Sequence, residues 1–188
     1  MNLKQCLTLG AALTALAYAS SAALADAVVV VGEGPERHCF LAAKKGDDLI
    51  AGIGHCNIAL NNPLILEDRV ATLVNRGVLF HKLDRINSAM NDFNAALRIN
   101  PEQADAWLNR GVAKLSLAQL TDAMSDIQKG IALGPSEPAL AYFNRAIAYE
   151  RLGQIPEAYY DYQRAAKAAP NFVAATNALA RFKITPRT

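Results

Sequence analysis

Two His-Cys pairs, His38-Cys39 and His55-Cys56, supply four side chains of the types that make a metal centre. Two thiolates with two imidazoles suit zinc or copper. Neighbouring residues on a helix point about 100° apart, so all four converge only where the backbone bends. The rival chemistry uses the sulfurs alone, as a Cys39–Cys56 disulfide, which an oxidising compartment favours. Sequence leaves both readings open. Patterns for catalysis are lacking. His81 stands in no spacing relation to a nucleophile, "GEGP" at 32–35 lacks the Lys and Ser/Thr of a phosphate loop, and no CxxC or HExxH occurs. Asp47 and Asp48 fall in a "KKGDD" break and read as a loop and helix cap. The expectation is a non-enzymatic protein with no cofactor.

The elements that carry these residues begin with a leader-like opening. "MNLKQCLTLGAALTALAYASSAALADA" has one Lys, an apolar run and then "ALA" at 23–25, the form of a secretory signal peptide cleaved after Ala25. Ser20, Ser21 and the small residues around them break the run short of the roughly 20 residues a membrane span needs. Cys6 lies ahead of the run, so it does not read as a lipid attachment site. The mature chain is expected to be periplasmic or secreted, with no membrane span. The net charge of the whole chain is only +2, which offers no electrostatic reason to expect nucleic acid as a partner.

An eight-residue phrase then occurs three times: "LVNRGVLF" at 73–80, "WLNRGVAK" at 107–114 and "YFNRAIAY" at 142–149. Gly77, Gly111 and Ala146 lie 34 and 35 residues apart. Each is followed at fixed spacing by an alanine (Ala89, Ala123, Ala158), a large apolar residue (Phe93, Ile127, Tyr162) and a proline (Pro101, Pro135, Pro170). So constant a period means stacked copies of one supersecondary unit. Each copy reads as two helices, the first with a small residue at its closest approach to the second, and the second stopping ahead of its proline.

These residues resemble the tetratricopeptide repeat family, whose pattern runs aromatic, Leu-Gly, Tyr, then Ala, Phe and Pro. The aromatic place holds Leu73, Trp107 and Tyr142, and the Tyr place Phe80, Lys114 and Tyr149. The middle copy departs at Lys114 and at Gly130, where its neighbours have Ala96 and Ala165. The resemblance implies an all-α, right-handed α-solenoid of three helix pairs. Where the family has Leu before the Gly, this chain has Arg76, Arg110 and Arg145, each with an Asp sixteen residues on: Asp92, Asp126 and Asp161. Antiparallel helices at this spacing are expected to set each Arg opposite its Asp as a structural ion pair.

The resemblance also implies a concave groove. It places Asn75, Asn109 and Asn144 on the inner surface, where an amide offers a donor and an acceptor to the backbone of an extended peptide. Val74, Val78, Leu108, Val112, Phe143 and Ile147 are expected to flank that row as an apolar floor. Family members that clamp the C-terminal carboxylate of chaperones carry lysines at places held here by Val74 and Leu140, and only Asn109 of that clamp is kept. The implied ligand is therefore a protein or peptide segment of the cell envelope with apolar side chains. An internal segment or a second copy of the chain, as a homodimer, are the other expected occupants.

Upstream of the repeats, residues 38–63 read as a degenerate helix pair, with Cys56 and Ala59 repeating the spacing of Phe93 and Ala96. Cys39 and Cys56 then face each other, and closing that loop is worth about 3 kcal/mol. "AVVVVGEGP" at 27–35 is β-prone and reads as an extended arm, the foremost internal candidate to cover an apolar surface. "NFVAATNALARFKI" at 171–184 reads as a last solvating helix. The expected organisation is a signal peptide over 1–25, arm and cap over 26–66, repeats over 67–170, and capping helix and tail over 171–188.

Overall fold

The computed structural model describes residues 6–9, 23 and 27–185. Strand β1 (Cys6–Leu9) is followed by helices α1 (Pro35–Lys45), α2 (Leu49–Asn61), α3 (Leu66–Lys82), α4 (Ile86–Ile99), α5 (Ala104–Ser116), α6 (Leu120–Ala132), α7 (Pro138–Arg151), α8 (Ile155–Ala168) and α9 (Val173–Leu179), then strand β2 (Phe182–Thr185). Helices α1–α2, α3–α4, α5–α6 and α7–α8 pack as hairpins, and each hairpin packs on the next. The contacts of α3 with α1, of α5 with α3 and of α7 with α5 put the first helix of each pair along one side of the array. The fold is all-α, a tetratricopeptide-type solenoid with one additional pair at its start.

The three repeat hairpins turn in the same way. Helices α3, α5 and α7 end on residues in the left-handed region, Asp84 (φ 58°), Ala118 (φ 57°) and Gly153 (φ 74°). The next amide reaches back to the helix: Arg85 N donates to Phe80 O, Gln119 N to Lys114 O and Gln154 N to Tyr149 O, each at 2.9 Å. This closure satisfies carbonyls that the helix end would leave unpaired. The helices then approach closely at the small residues. A Cβ on Gly77 would lie 2.8 Å from Phe93 Cδ1, and one on Gly130 would lie 2.7 Å from Leu108 Cγ. Gly130 thus departs from the alanine of its neighbours because Leu108 takes the space.

The C-terminal element is shorter than the sequence predicts. Instead of one helix over 171–184, α9 covers Val173–Leu179 and the chain then extends as β2, antiparallel to β1 with Phe182 opposite Leu9. The alternation of Phe182 and Ile184 with polar residues has the period of a strand, and a helix is disfavoured at Thr185 because Pro186 follows. Arg181 ties this corner down by donating from Nη2 to Glu150 Oε2 at 2.9 Å. Tyr162, fully buried, donates to the same carboxylate oxygen, and burial together with that bond raises its pKa above the usual tyrosine range. β1 lies in the stretch that reads as a leader; the cleavage point after Ala25 lies outside the described residues.

Candidate functional site

The Asn-Arg-small phrase sits at the middle of α3, α5 and α7, and its consecutive residues leave the helix in different directions. The arginines turn toward the second helix of their own pair. Arg76 donates from Nε and Nη2 to Asp92 Oδ2 and Oδ1, both at 2.7 Å. Arg110 does so to Asp126 at 2.7 and 2.9 Å, and Arg145 to Asp161 at 2.5 and 3.0 Å. The carboxylates are buried, with 8%, 5% and 1% of their side chains exposed, whereas the guanidinium groups reach the surface. The hydrogen bonds to Asp161 raise the pKa of Arg145, and burial only partly opposes them. The spare Nη1 groups of Arg76 and Arg110 donate to Asn57 and Asn94 on the preceding pair, at 2.7 and 2.8 Å. Lys114, the residue that breaks the aromatic pattern, adds a third bond to Asp126 at 2.7 Å.

All three asparagines are fully buried. Asn75 holds one residue of the chain's own arm by both ends of its amide: Val28 N donates to Asn75 Oδ1 at 2.7 Å, and Asn75 Nδ2 donates to Val28 O at 2.8 Å. Asn144 Nδ2 donates to Ala23 O at 2.6 Å. Ala23 thus lies at the third repeat and Val28 at the first. The extended residues 27–30 place Val30 (2% exposed) in the core cluster with Val74 and Val78, while Val29 and Val31 point outward. Beyond Val30, the amides of Val31 and Gly32 donate to Asp68 at 2.8 and 3.3 Å, and that of Gly34 donates to Glu36 at 2.8 Å. A Cβ on Gly34 would lie 2.8 Å from Glu36 Oε2, so the glycine admits that carboxylate.

The flanking residues are buried. Val74, Val78, Leu108, Val112 and Ile147 are 0–1% exposed and Phe143 is 5% exposed. Two of them do not form a groove floor as expected. Leu108 fills the gap at Gly130, and Phe143 packs against Tyr162 and Phe172, with ring centroids 5.4 and 5.0 Å apart. Both belong to the interior between helices, Leu108 packed on Gly130 and Phe143 on two aromatic rings.

In the cap, Cys39 and Cys56 are fully buried and their sulfurs lie at bonding distance, with the Cα atoms 4.8 Å apart. Sulfurs joined in this way cannot also serve as thiolate ligands, so the four-ligand set His38, Cys39, His55 and Cys56 does not exist in this state. The two imidazoles stack beside the bond at 5.0 Å. Among the described residues no group of three or more His, Cys, Asp or Glu is placed to hold a metal ion. His81, at the end of α3, lies 3.0 Å from Ser116 Oγ, and burial lowers its pKa more than neighbouring Asp84 raises it.

Sequence reasoning missed Asp68, Glu36, Asn57 and Asn94. Asp68 left a trace: it stands seven residues before Asn75, and Glu102 and Glu137 stand seven before Asn109 and Asn144. The other three have no counterpart in all copies.

Comparison with known proteins agrees with this geometry. A family model described as TPR repeat matches residues 75–117, and one described as tetratricopeptide repeat matches residues 139–172. The human mitochondrial import receptor subunit TOM70 is 32% identical over 100 residues, which is 53% of this chain but only 15% of that protein. The first TPR of Spaghetti (RPAP3), solved bound to HSP90 peptide SRMEEVD, is 26% identical with a TM-score of 0.56, covering 60% of this chain and 89% of that one. The Arabidopsis OM64 TPR domain is 27% identical with a TM-score of 0.56, covering 60% and 92%. MamA, 21% identical with a TM-score of 0.60 over 75% of this chain and 80% of its own, shares the fold. With three copies of the motif, the family-model matches and these likenesses, the chain belongs to the tetratricopeptide repeat proteins.

Proposed function

We propose that this protein is a non-enzymatic interaction module of the cell envelope that holds an extended peptide segment with apolar side chains along its inner face. The observation that carries the reading is the grip of Asn75 on Val28. An amide in this place meets the N–H and C=O of a single extended residue without regard to its side chain. Two structural neighbours, RPAP3 domains, were solved in complex with HSP90 and HSP70 peptides. Acidic chaperone tails are not the expected ligand here, because Val74 and Leu140 stand where the clamp has lysines.

The envelope setting is supported by the leader-like opening and by the buried Cys39–Cys56 contact, which an oxidising compartment keeps closed. N-terminal sequencing of protein recovered from the envelope fraction is expected to begin at Asp26; an intact Met1 terminus confined to the cytosol sinks the location. For the binding activity, peptides selected from a displayed random library are titrated against wild type and an Asn109→Ala, Asn144→Ala double variant. Losing two amide contacts at about 1 kcal/mol each weakens binding by more than tenfold. Equal affinity for both proteins refutes the groove as the site.

A further inference from the structure

Helices α1 and α2 hold two imidazoles side by side. Cys39 and Cys56 face each other across this hairpin, with Cα atoms 4.8 Å apart, and His38 and His55 each stand one residue before them. Antiparallel helices turn in opposite senses when viewed along one direction, so stepping back about 100° from each cysteine carries both histidines to the same flank. Gly52 keeps the helices close, since a Cβ on it would lie 2.6 Å from Ala42 Cβ. The rings stack with centroids 5.0 Å apart and planes 30° from parallel. They border an open cavity of about 230 Å³ built from α1, α2 and the turn between them, with Asp47 and Asp48 in its wall beside Lys45.

This spacing is that of a chelate. Two imidazoles that share one ion through nitrogens at about 2.1 Å, near the tetrahedral angle, hold their ring centroids about 5 Å apart. His38 already presents a free lone pair. Its Nδ1 lies 3.3 Å from Gly34 O, and a carbonyl only accepts, so Nδ1 carries the proton and Nε2 is left to bind. His55 stacks on His38 with neither nitrogen hydrogen-bonded among the described residues, so its ring turns about χ2, a soft torsion that leaves the centroid nearly in place. No third His, Cys, Asp or Glu among the described residues joins the pair, so water fills the remaining positions. The two aspartates add negative charge to the cavity wall and outweigh Lys45. Imidazole nitrogens suit zinc, nickel and copper, whereas calcium and magnesium take oxygen.

We propose that His38 and His55 chelate one late first-row divalent ion, Cu²⁺ more tightly than Zn²⁺, while the Cys39–Cys56 bond stays closed. The bond is the brace that sets the ring spacing, and its sulfurs are not ligands. The ion adds a second link between α1 and α2. This site uses neither the asparagines nor the arm, so it stands or falls independently of the peptide-binding reading.

The test uses the untagged full chain, stripped of metal and carrying Cys6→Ser to remove the third cysteine, with the Cys39–Cys56 bond verified by peptide mapping. Copper and zinc chlorides are titrated separately by calorimetry in a non-coordinating buffer. This form is expected to take one ion per chain, and His38→Ala and His55→Ala are each expected to bind Cu²⁺ roughly tenfold more weakly or worse. His81→Gln, which removes the remaining histidine, should leave the affinity unchanged. Electron paramagnetic resonance of the Cu²⁺ form should show two coupled imidazole nitrogens, and one in either single variant, a signature that altered folding does not mimic. Equal affinity after the double substitution His38→Ala, His55→Ala overturns the site, and so does a loss confined to one of the two single variants. Binding that requires prior reduction with a phosphine overturns it too, because the sulfurs are then the ligands. Absence of binding by a chain whose circular dichroism is that of the folded array refutes the proposal outright.

Discussion

Replacing Arg76 by methionine removes the guanidinium, which meets both oxygens of Asp92 and lies over the Phe80 ring, and keeps an apolar stem of similar length. Asp92 is then a buried carboxylate, 8% exposed in its side chain, with no second cation bridged to it among the described residues. Breaking a buried pair from one side costs about 3–5 kcal/mol. The Arg76 side chain is 22% exposed, so water reaches the vacated space and the lower end applies, about 3 kcal/mol. Urea unfolding followed by circular dichroism reads this as a fall in midpoint, and thermal unfolding as a drop of roughly 10 °C for a chain of this size. The companion pairs give an internal scale. Asp126 keeps Lys114 when Arg110 is lost, and Asp161 keeps Arg164 when Arg145 is lost. Arg110→Met and Arg145→Met are therefore expected to cost less than Arg76→Met, about 2 kcal/mol each. An Arg76→Met, Asp92→Leu double variant, which strands neither charge, should recover to within about 1 kcal/mol of wild type. A loss below about 1 kcal/mol for Arg76→Met, or equal losses at all three arginines, refutes the assignment of these pairs as buried clamps.

Three further outcomes follow from single residues. Ala118 holds φ 57° where Gly153 stands in the next repeat, so Ala118→Gly relieves a left-handed strain and should raise stability by about 0.5–1 kcal/mol in urea. Asn75→Ala strands the N–H and C=O of Val28 and is expected to cost about 2 kcal/mol, whereas Asn109→Ala removes an amide with no partner among the described residues and should leave stability unchanged or higher. His81 has a folded pKa below its ordinary 6.5, so the unfolded chain binds a proton first as pH falls. Its contribution is fully present above pH 6.5 and declines as pH drops through that value toward the folded pKa, so the wild-type midpoint should fall from pH 7.5 to 5.5 more than that of His81→Gln.

The repeats were legible because every copy solves the same packing problem. A small residue must meet a large one across each hairpin, so Gly77 with Phe93, Gly111 with Ile127 and Ala146 with Tyr162 recur at one period. The charges were legible for the same reason, since Arg and Asp sixteen residues apart leave a pattern only when copied. Where a copy has its own partner, pattern fails. Leu108 and Phe143 occupy equivalent places, but one turns to the space at Gly130 and the other to Tyr162 and Phe172, and neither neighbour is visible from the phrase itself. The arm was legible as an extended, apolar segment. Its seat was not, because that depends on Asp68 and Asn75, 37 and 47 residues away. The end of α9 shows the remaining difficulty: "ALARFKIT" carries a helical start and a strand-like alternation, and the boundary depends on a partner strand from the other end of the chain.

The phrase Asn-Arg-Gly also links the two functions of the first helix. Asn75, Arg76 and Gly77 are consecutive, so about 100° of helix rotation separates each from the next. One aims at the arm, one at Asp92 and one at the Phe93 ring. The latter two contacts fix the rotation of α3 about its own axis, and that rotation aims Asn75. A clamp cut at Arg76 therefore should reach the groove without touching it. In Arg76→Met, kept under conditions where the array stays folded, the Val28 amide is expected to exchange faster, because its acceptor on Asn75 loses alignment. The Val31 amide, held by Asp68 nearly two turns earlier on α3, should change less. Equal acceleration at both positions would mean that the whole arm or the whole helix has loosened, and the ion pair would then be a general brace with no part in aiming the asparagine.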